Sequence, residues 1–177
     1  FAARISGNAE KAARLAGVAL VALERAPWEQ REGDRWTPAK DMEEAAALLG
    51  ERPRKAFLAV GRQELAPFHA RPQHAYVVRS VDPVEDAIPG AISILARGPF
   101  REEDERALLR DHRIEAVVAK NSGGEATYAK IAAARALGLE VVMVARPRPS
   151  PAGAARSVAE AEAMVRHALG LPAARGE

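Results

Sequence analysis

Six short apolar runs, each ending on or within two residues of a cation, set the tightest limit on how this chain folds. VALVALE leads to Arg25, AFLAV to Gly61-Arg62 and AYVV to Arg79; ISILA leads to Arg97, IEAVVA to Lys120 and EVVMVA to Arg146. Runs this short and partly β-branched read as buried strands. Segments of helical periodicity separate most of them, and strands alternating with helices imply a parallel, doubly wound sheet. In such a sheet the carboxyl ends of the strands border the ligand crevice. Cations repeated at that edge focus positive potential there, although the net charge is only +2. The expected ligand is polyanionic: a phosphorylated cofactor, a polycarboxylate, or both.

Residues 2–16 place Ile5, Ala9, Ala12 and Leu15–Ala16 on one helical face, closed by Gly17. Val18–Leu23 reads as a buried strand. Residues 25–40, with Trp28 and Trp36 among charges and prolines, read as a loop. Asp41 and Glu44 form a capping-box pattern that opens a helix running to Leu49. Further strands are predicted at Ala56–Val60, Tyr76–Val78, Ala91–Ala96, Ile114–Ala119 and Val141–Val144. Helices are predicted at Arg101–Arg110, at Glu125–Leu137 and from the Ser157 cap to Leu169. Pro147, Pro149 and Pro151 predict a stiff linker. The polar stretch 69–75, with Pro72, suggests a junction dividing a domain of residues 1–72 from one of residues 73–177. The chain enters a helical pattern directly at Phe1, whereas an α/β domain commonly opens on a strand. Further strand–helix units are therefore expected ahead of it.

Composition removes several function classes. Acidic and basic residues are interspersed, which argues against a nucleic-acid surface. The absence of cysteine excludes disulfides, thiolate metal sites and a cysteine nucleophile. The four histidines show neither HxxH nor HExxH spacing, so no metal site is expected. No GxSxG elbow is present. No run reaches the length of a membrane span and no signal-peptide pattern opens the chain, so a cytoplasmic protein is expected.

The segment with most chemical content is Lys120-Asn121-Ser122-Gly123-Gly124-Glu125-Ala126-Thr127. It lies between a predicted strand and a predicted helix, where backbone N–H groups and the helix dipole favour an anion. Two glycines let the backbone approach a ligand with no Cβ in the way. Lys120 supplies charge; Asn121, Ser122 and Thr127 supply hydrogen-bonding groups. Its plain alternative is a tight turn, with Ser122 capping the helix and Lys120 paired with Glu125. Gly61-Arg62-Gln63-Glu64 is a second junction of this kind, presenting Arg62 either to an anion or to solvent. Arg25-Ala26-Pro27-Trp28 sets a cation and a flat ring past a strand end; Trp28 either stacks on a planar ligand or folds onto the core edge. Arg79 and Arg146 complete the set of cations. The acidic run Glu102–Glu105 reads as a solvated, dipole-favoured helix start.

Several blocks together resemble the precorrin-6A reductase family of cobalamin biosynthesis. They are FAARIS, ERAPW followed by Trp36, FLAVGRQEL, VVRSVDP, PFREEDERALLRDHRIEAVVAKNSGG, a helix with Lys130 and Arg135, and LGLEVVMVARP, in that order. The resemblance implies two Rossmann-like three-layer domains with mostly parallel sheets, facing each other across a cleft. It implies a hydride passed from NADPH (or NADH) to a double bond of a tetrapyrrole, precorrin-6A. Family members carry a strand and a Gly-Gly-Thr turn that this sequence lacks. Under this reading Lys120, Asn121, Ser122, Gly123, Gly124 and Thr127 contact the cofactor. Arg25, Trp28, Arg62, Arg79 and Arg146 contact the substrate, and no residue is identified as the proton donor. A non-catalytic tetrapyrrole carrier and a Rossmann-like module for a phosphorylated small molecule are the rival readings.

Overall fold

Alternating apolar side chains organise the molecule. In the run Ala56–Val60, Ala56, Leu58 and Val60 enter one buried cluster while Phe57 enters another. The same two-residue period splits Tyr76 and Val78 from Val77, and Ala116 and Val118 from Val117 and Ala119. A strand covered on both faces has this pattern. The computed structural model describes residues 2–83, 88–146 and 154–171. Its elements in chain order are α1 (Ala2–Ala16), β1 (Arg35–Ala39), α2 (Met42–Leu48), β2 (Lys55–Ala59), α3 (Ala66–His69) and β3 (Ala75–Ser80). They continue with β4 (Ile92–Leu95), α4 (Glu102–Asp111), β5 (Ala116–Lys120), α5 (Ala129–Ala136), β6 (Glu140–Val144) and α6 (Val158–Ala168).

All six strands form one sheet in the order β1-β6-β5-β2-β3-β4, and every pairing is parallel. One face packs residues of α2 and α3, among them Ala45, Ala46 and Phe68; the other packs Leu109 of α4 and Ile131, Ala133 and Ala134 of α5. The result is a three-layer α/β unit. From β2 the chain winds outward through β3 to β4, returns to β5 on the other side of β2, and winds outward again to β6. The winding therefore reverses between β2 and β5, and a ligand crevice is expected outside the carboxyl ends of those two strands.

Three sequence expectations change. The junction at 72/73 falls between β2 and β3, hydrogen-bonded neighbours in one sheet. The compact units are instead residues 27–147 and residues 1–26 with 148–177. Within residues 27–147 the strands form one parallel sheet. The predicted buried strand Val18–Leu23 is not part of that sheet. Leu23 makes a single parallel bridge to Ala155, and Val18, Leu20 and Leu23 are exposed. An apolar run becomes a buried strand only where neighbours pair with it along its length, and one bridge is made here among the described residues. Conversely, the expected loop 25–40 contains β1, an edge strand that pairs only with β6 and so tolerates Pro38.

The caps are as the sequence predicts. The Asp41 carboxylate accepts from the Glu44 amide at 2.8 Å, and the Ser157 hydroxyl accepts from the Glu160 amide at 3.1 Å. The proline linker at 147–151 lies outside the described residues.

Candidate functional site

Two loops meet where the winding reverses. After β2, the Gly61 amide donates to the Glu64 carboxylate at 2.7 Å, tightening the single 3-10 turn Arg62–Glu64. A Cβ on Gly61 would stand 3.0 Å from that carboxylate, so the turn closes most easily on glycine. After β5, Lys120 reaches back to the same Glu64, at 2.8 Å and 3.0 Å from its two oxygens. Glu64 thus ties the loops together. Lys120 takes Glu64, not the sequence neighbour Glu125, as its partner. Arg62 is exposed on the first loop.

The second loop is held from three sides. The Asn121 amide donates to the Val144 carbonyl at the end of β6, at 2.9 Å. The Asn121 side chain clasps the Trp28 backbone, accepting from its N–H at 2.7 Å and donating to its carbonyl at 2.9 Å. The Trp28 indole N–H donates to the Gly124 carbonyl at 3.1 Å, and its ring meets Tyr128 edge-on at 5.6 Å. Trp28 is therefore bound into the loop as a brace and does not stand free over a ligand. Arg146, following β6, donates to the carbonyls of Asn121 and Ser122. The GPF segment closes the remaining side, with the Phe100 amide donating to the Ala126 carbonyl at 3.3 Å.

This bracing leaves the middle of the loop open. Gly123 and Gly124 have φ of 60° and 92°, and Gly124 pairs its φ with ψ 142°, a conformation closed to other residues. Their amides donate to no acceptor among the described residues. The hydroxyls of Ser122 and Thr127 lie 3.5 Å apart beside them. Undonated amides at a glycine turn ahead of a helix suit a phosphate-like oxygen. Ser122 does not cap α5, whose N-cap position is Tyr128.

Lys120, Asn121, Ser122, Gly123, Gly124, Thr127, Trp28 and Arg146 are thus brought together, with Arg62 on the adjoining loop. Arg79 is not. Its position in β3 shares the parity of Val77, so it points into the layer of α4 and α5, where its guanidinium forms an ion pair with Glu105. The guanidinium also lies 3.8 Å from the Phe100 ring centroid and 5.1 Å from that of Phe57. Arg79 is 7% exposed, too enclosed to receive a substrate carboxylate. Glu105 is correspondingly no solvated helix-start residue: it is 2% exposed, on the α4 face that also carries Leu109. Arg25 belongs to the other compact unit.

Sequence reasoning missed Glu64 as the link between the loops and Lys130 as a buried cation. Lys130 is 5% exposed; its ammonium donates to the Thr127 carbonyl at 2.6 Å and lies 4.9 Å from the Trp28 ring centroid. Burial lowers its pKa from 10.5 to about 8, the Arg79 charge adds to the fall, and Glu105 opposes it. A lysine beside Ile131 in the alanine-rich stretch of α5 was the available signal.

Comparison with known proteins agrees with the family resemblance. The profile of the family described as precorrin-6x reductase CbiJ/CobK matches residues 1–168. A precorrin-6A reductase of Sinorhizobium sp is 58% identical over 148 residues, covering 82% of this chain and 57% of that protein. Its counterpart in Rhodobacter capsulatus is 49% identical over 149 residues, covering 83% and 59%. A cobalt-precorrin-6A reductase of Priestia megaterium is 30% identical over 159 residues, covering 83% and 62%. The chain thus spans less than two thirds of the length of these relatives. A solved CobK precorrin-6A reductase superposes with a TM-score of 0.86 at 44% identity, covering 98% of this chain and 69% of that one. With the family profile matched over nearly its whole length, this chain belongs to the precorrin-6x reductase CbiJ/CobK family.

Proposed function

We propose that this chain forms the cofactor-binding part of a precorrin-6A reductase, an oxidoreductase of cobalamin biosynthesis that acts on a CH–CH bond with NADPH as hydride donor. The observation that carries the reading is the pair of undonated amides at Gly123 and Gly124, in a glycine turn beside the point where the sheet reverses its winding. NADPH supplies the hydride; the chain's residues bind and orient. The amides of Gly123 and Gly124 and the hydroxyls of Ser122 and Thr127 hold phosphate oxygens. Lys120, fixed by Glu64, adds positive charge at the loop edge, and exposed Arg62 takes an acidic group of cofactor or substrate. Arg146 and Asn121 keep the loop in shape rather than touching ligand. Orientation of this kind is most of what a hydride transfer asks of the protein.

The same reading includes a tetrapyrrole fringed with carboxylates as substrate and a cytoplasmic location. It also includes a second Rossmann-like domain facing this one in the whole protein. Oxidation of NADPH followed at 340 nm in the presence of precorrin-6A tests the reading. Turnover that vanishes with Gly124→Ala supports it. NADPH binding without turnover in the full-length protein would favour a carrier, and absence of NADPH binding would remove the cofactor assignment.

A further inference from the structure

Lys130 is an ammonium with too few partners. It has three N–H donors and, among the described residues, one acceptor at hydrogen-bond distance, the Thr127 carbonyl. The nearby carboxylate, Glu105, is already taken by Arg79, and its other oxygen makes no hydrogen bond. Two cations and one carboxylate leave one net positive charge in the layer beneath the glycine turn. An enclosed charge is weakly screened and acts farther than a surface one. The face of Trp28 lies over this charge, and the Trp28 indole N–H holds the Gly124 carbonyl. Lys130 also grips Thr127 directly, so it holds one end of the open segment itself and reaches Gly124 through Trp28.

We propose that Lys130 is the positioning residue of the glycine turn. Its ammonium fixes residues 122–127 against Trp28 and adds positive potential from below, so that the amides of Gly123 and Gly124 receive an anionic phosphate group. The proposal rests on the cofactor reading for the identity of the ligand, but not for the geometry. A lysine held for stability alone would make a different pattern. Folding lowers the pKa of Lys130, so the folded chain binds fewer protons than the unfolded one between the two values. Its contribution to stability therefore rises with pH from about 8 to 10.5 and is unfavourable below that window. The groups that face it are Arg79 from β3 and Glu105 from α4.

The test uses the chain with Trp36→Phe, which leaves Trp28 as its one indole, and takes NADPH and inorganic pyrophosphate as probes. In Lys130→Met the dissociation constants of both probes rise about tenfold, the scale of one lost charge-assisted contact. The thermal midpoint near neutral pH holds or rises. In the parent, Trp28 emission and probe affinity both step as pH crosses about 8, with affinity falling on the alkaline side. Lys130→Arg, which stays charged, keeps the affinity and loses the step. Unchanged affinity in Lys130→Met overturns the proposal, as does parent Trp28 emission that stays flat across the step. Should Lys130→Met fail to fold, the parent titration and Lys130→Arg decide by the same criteria. Binding of pyrophosphate without NADPH would sink the cofactor reading and leave the Lys130 comparison to run on pyrophosphate. Binding of neither probe overturns both.

Discussion

The two ends of the sheet treat charge in opposite ways. At the amino ends of the strands, the groups around Glu140 and Glu115 are paired, although Asp34 Oδ1, Trp36 Nε1 and His74 Nε2 are buried there without a partner among the described residues. Arg54 pairs with Glu140 at 2.9 Å and donates to the Glu115 carbonyl at 3.2 Å. Thr37 donates to the other Glu140 oxygen at 2.8 Å, and the Lys55 amide donates to the Glu115 carboxylate at 2.8 Å. Burial opposes the charge on Glu140, but hydrogen bonds from Thr37 and Arg54 outweigh it and hold the carboxyl below its ordinary value. At the carboxyl ends, two glycine amides have no acceptor among the described residues, and Lys130 sits beside a pair that already balances itself. A closed network stabilises; an open one leaves interactions for a ligand to complete. One edge of a single sheet thus pairs most of its charges, and the other holds the glycine turn proposed above to take the ligand.

Substitutions at each edge can break or sharpen this contrast. The largest expected effect is on the buried pair: Arg79→Ala leaves Glu105 charged and enclosed, and should lower the unfolding free energy by about 3–5 kcal/mol in denaturant titration. A loss below about 1 kcal/mol would mean that the pair is wetter than its burial indicates. Next is Gly124→Ala, whose cost is local strain of about 1–3 kcal/mol. It should abolish NADPH binding by fluorescence titration while the chain still unfolds cooperatively. Retained binding would detach the glycine turn from the ligand. At the closed edge, Glu140→Gln should cost about 1 kcal/mol in the same denaturant assay and leave NADPH affinity unchanged. The smallest effect is on the acid limb of stability. Because folding lowers the pKa of Glu140, its contribution is present above the unfolded value of 4.5 and disappears as pH falls through the folded value. Glu140→Gln should flatten that part of the pH profile, and an unaltered slope would assign it to other carboxylates.

Much of this was legible in the residues. The apolar runs of β2, β3, β5 and β6 are short and buried, and those of β3, β5 and β6 are valine-rich, so periodicity found them. The caps at Asp41 and Ser157 were legible because capping is a contact between near neighbours. β1 was not, since RWTPA carries a charge and a proline that only an edge position accommodates. Val18–Leu23 misled for the converse reason: among the described residues its apolar run makes a single bridge, from Leu23 to Ala155. The glycine turn was found as a pattern, yet its anchors were not, because Trp28 and Asn121 are 93 residues apart.

By itself, the chain determined its α/β class, the parallel sheet and the loop that carries the candidate chemistry. These follow from side-chain period, turn residues and caps, all of them local. Tertiary structure alone decided which cations at strand ends lie at the reversal of the winding and which turn into the protein. Lys120 emerges beside Glu64 at the reversal of the winding, whereas Arg79 turns inward onto Glu105. The outcome depends on the parity of a strand position together with the register of a helix packed over it. That helix begins more than twenty residues farther along the chain, so no local pattern carries the information.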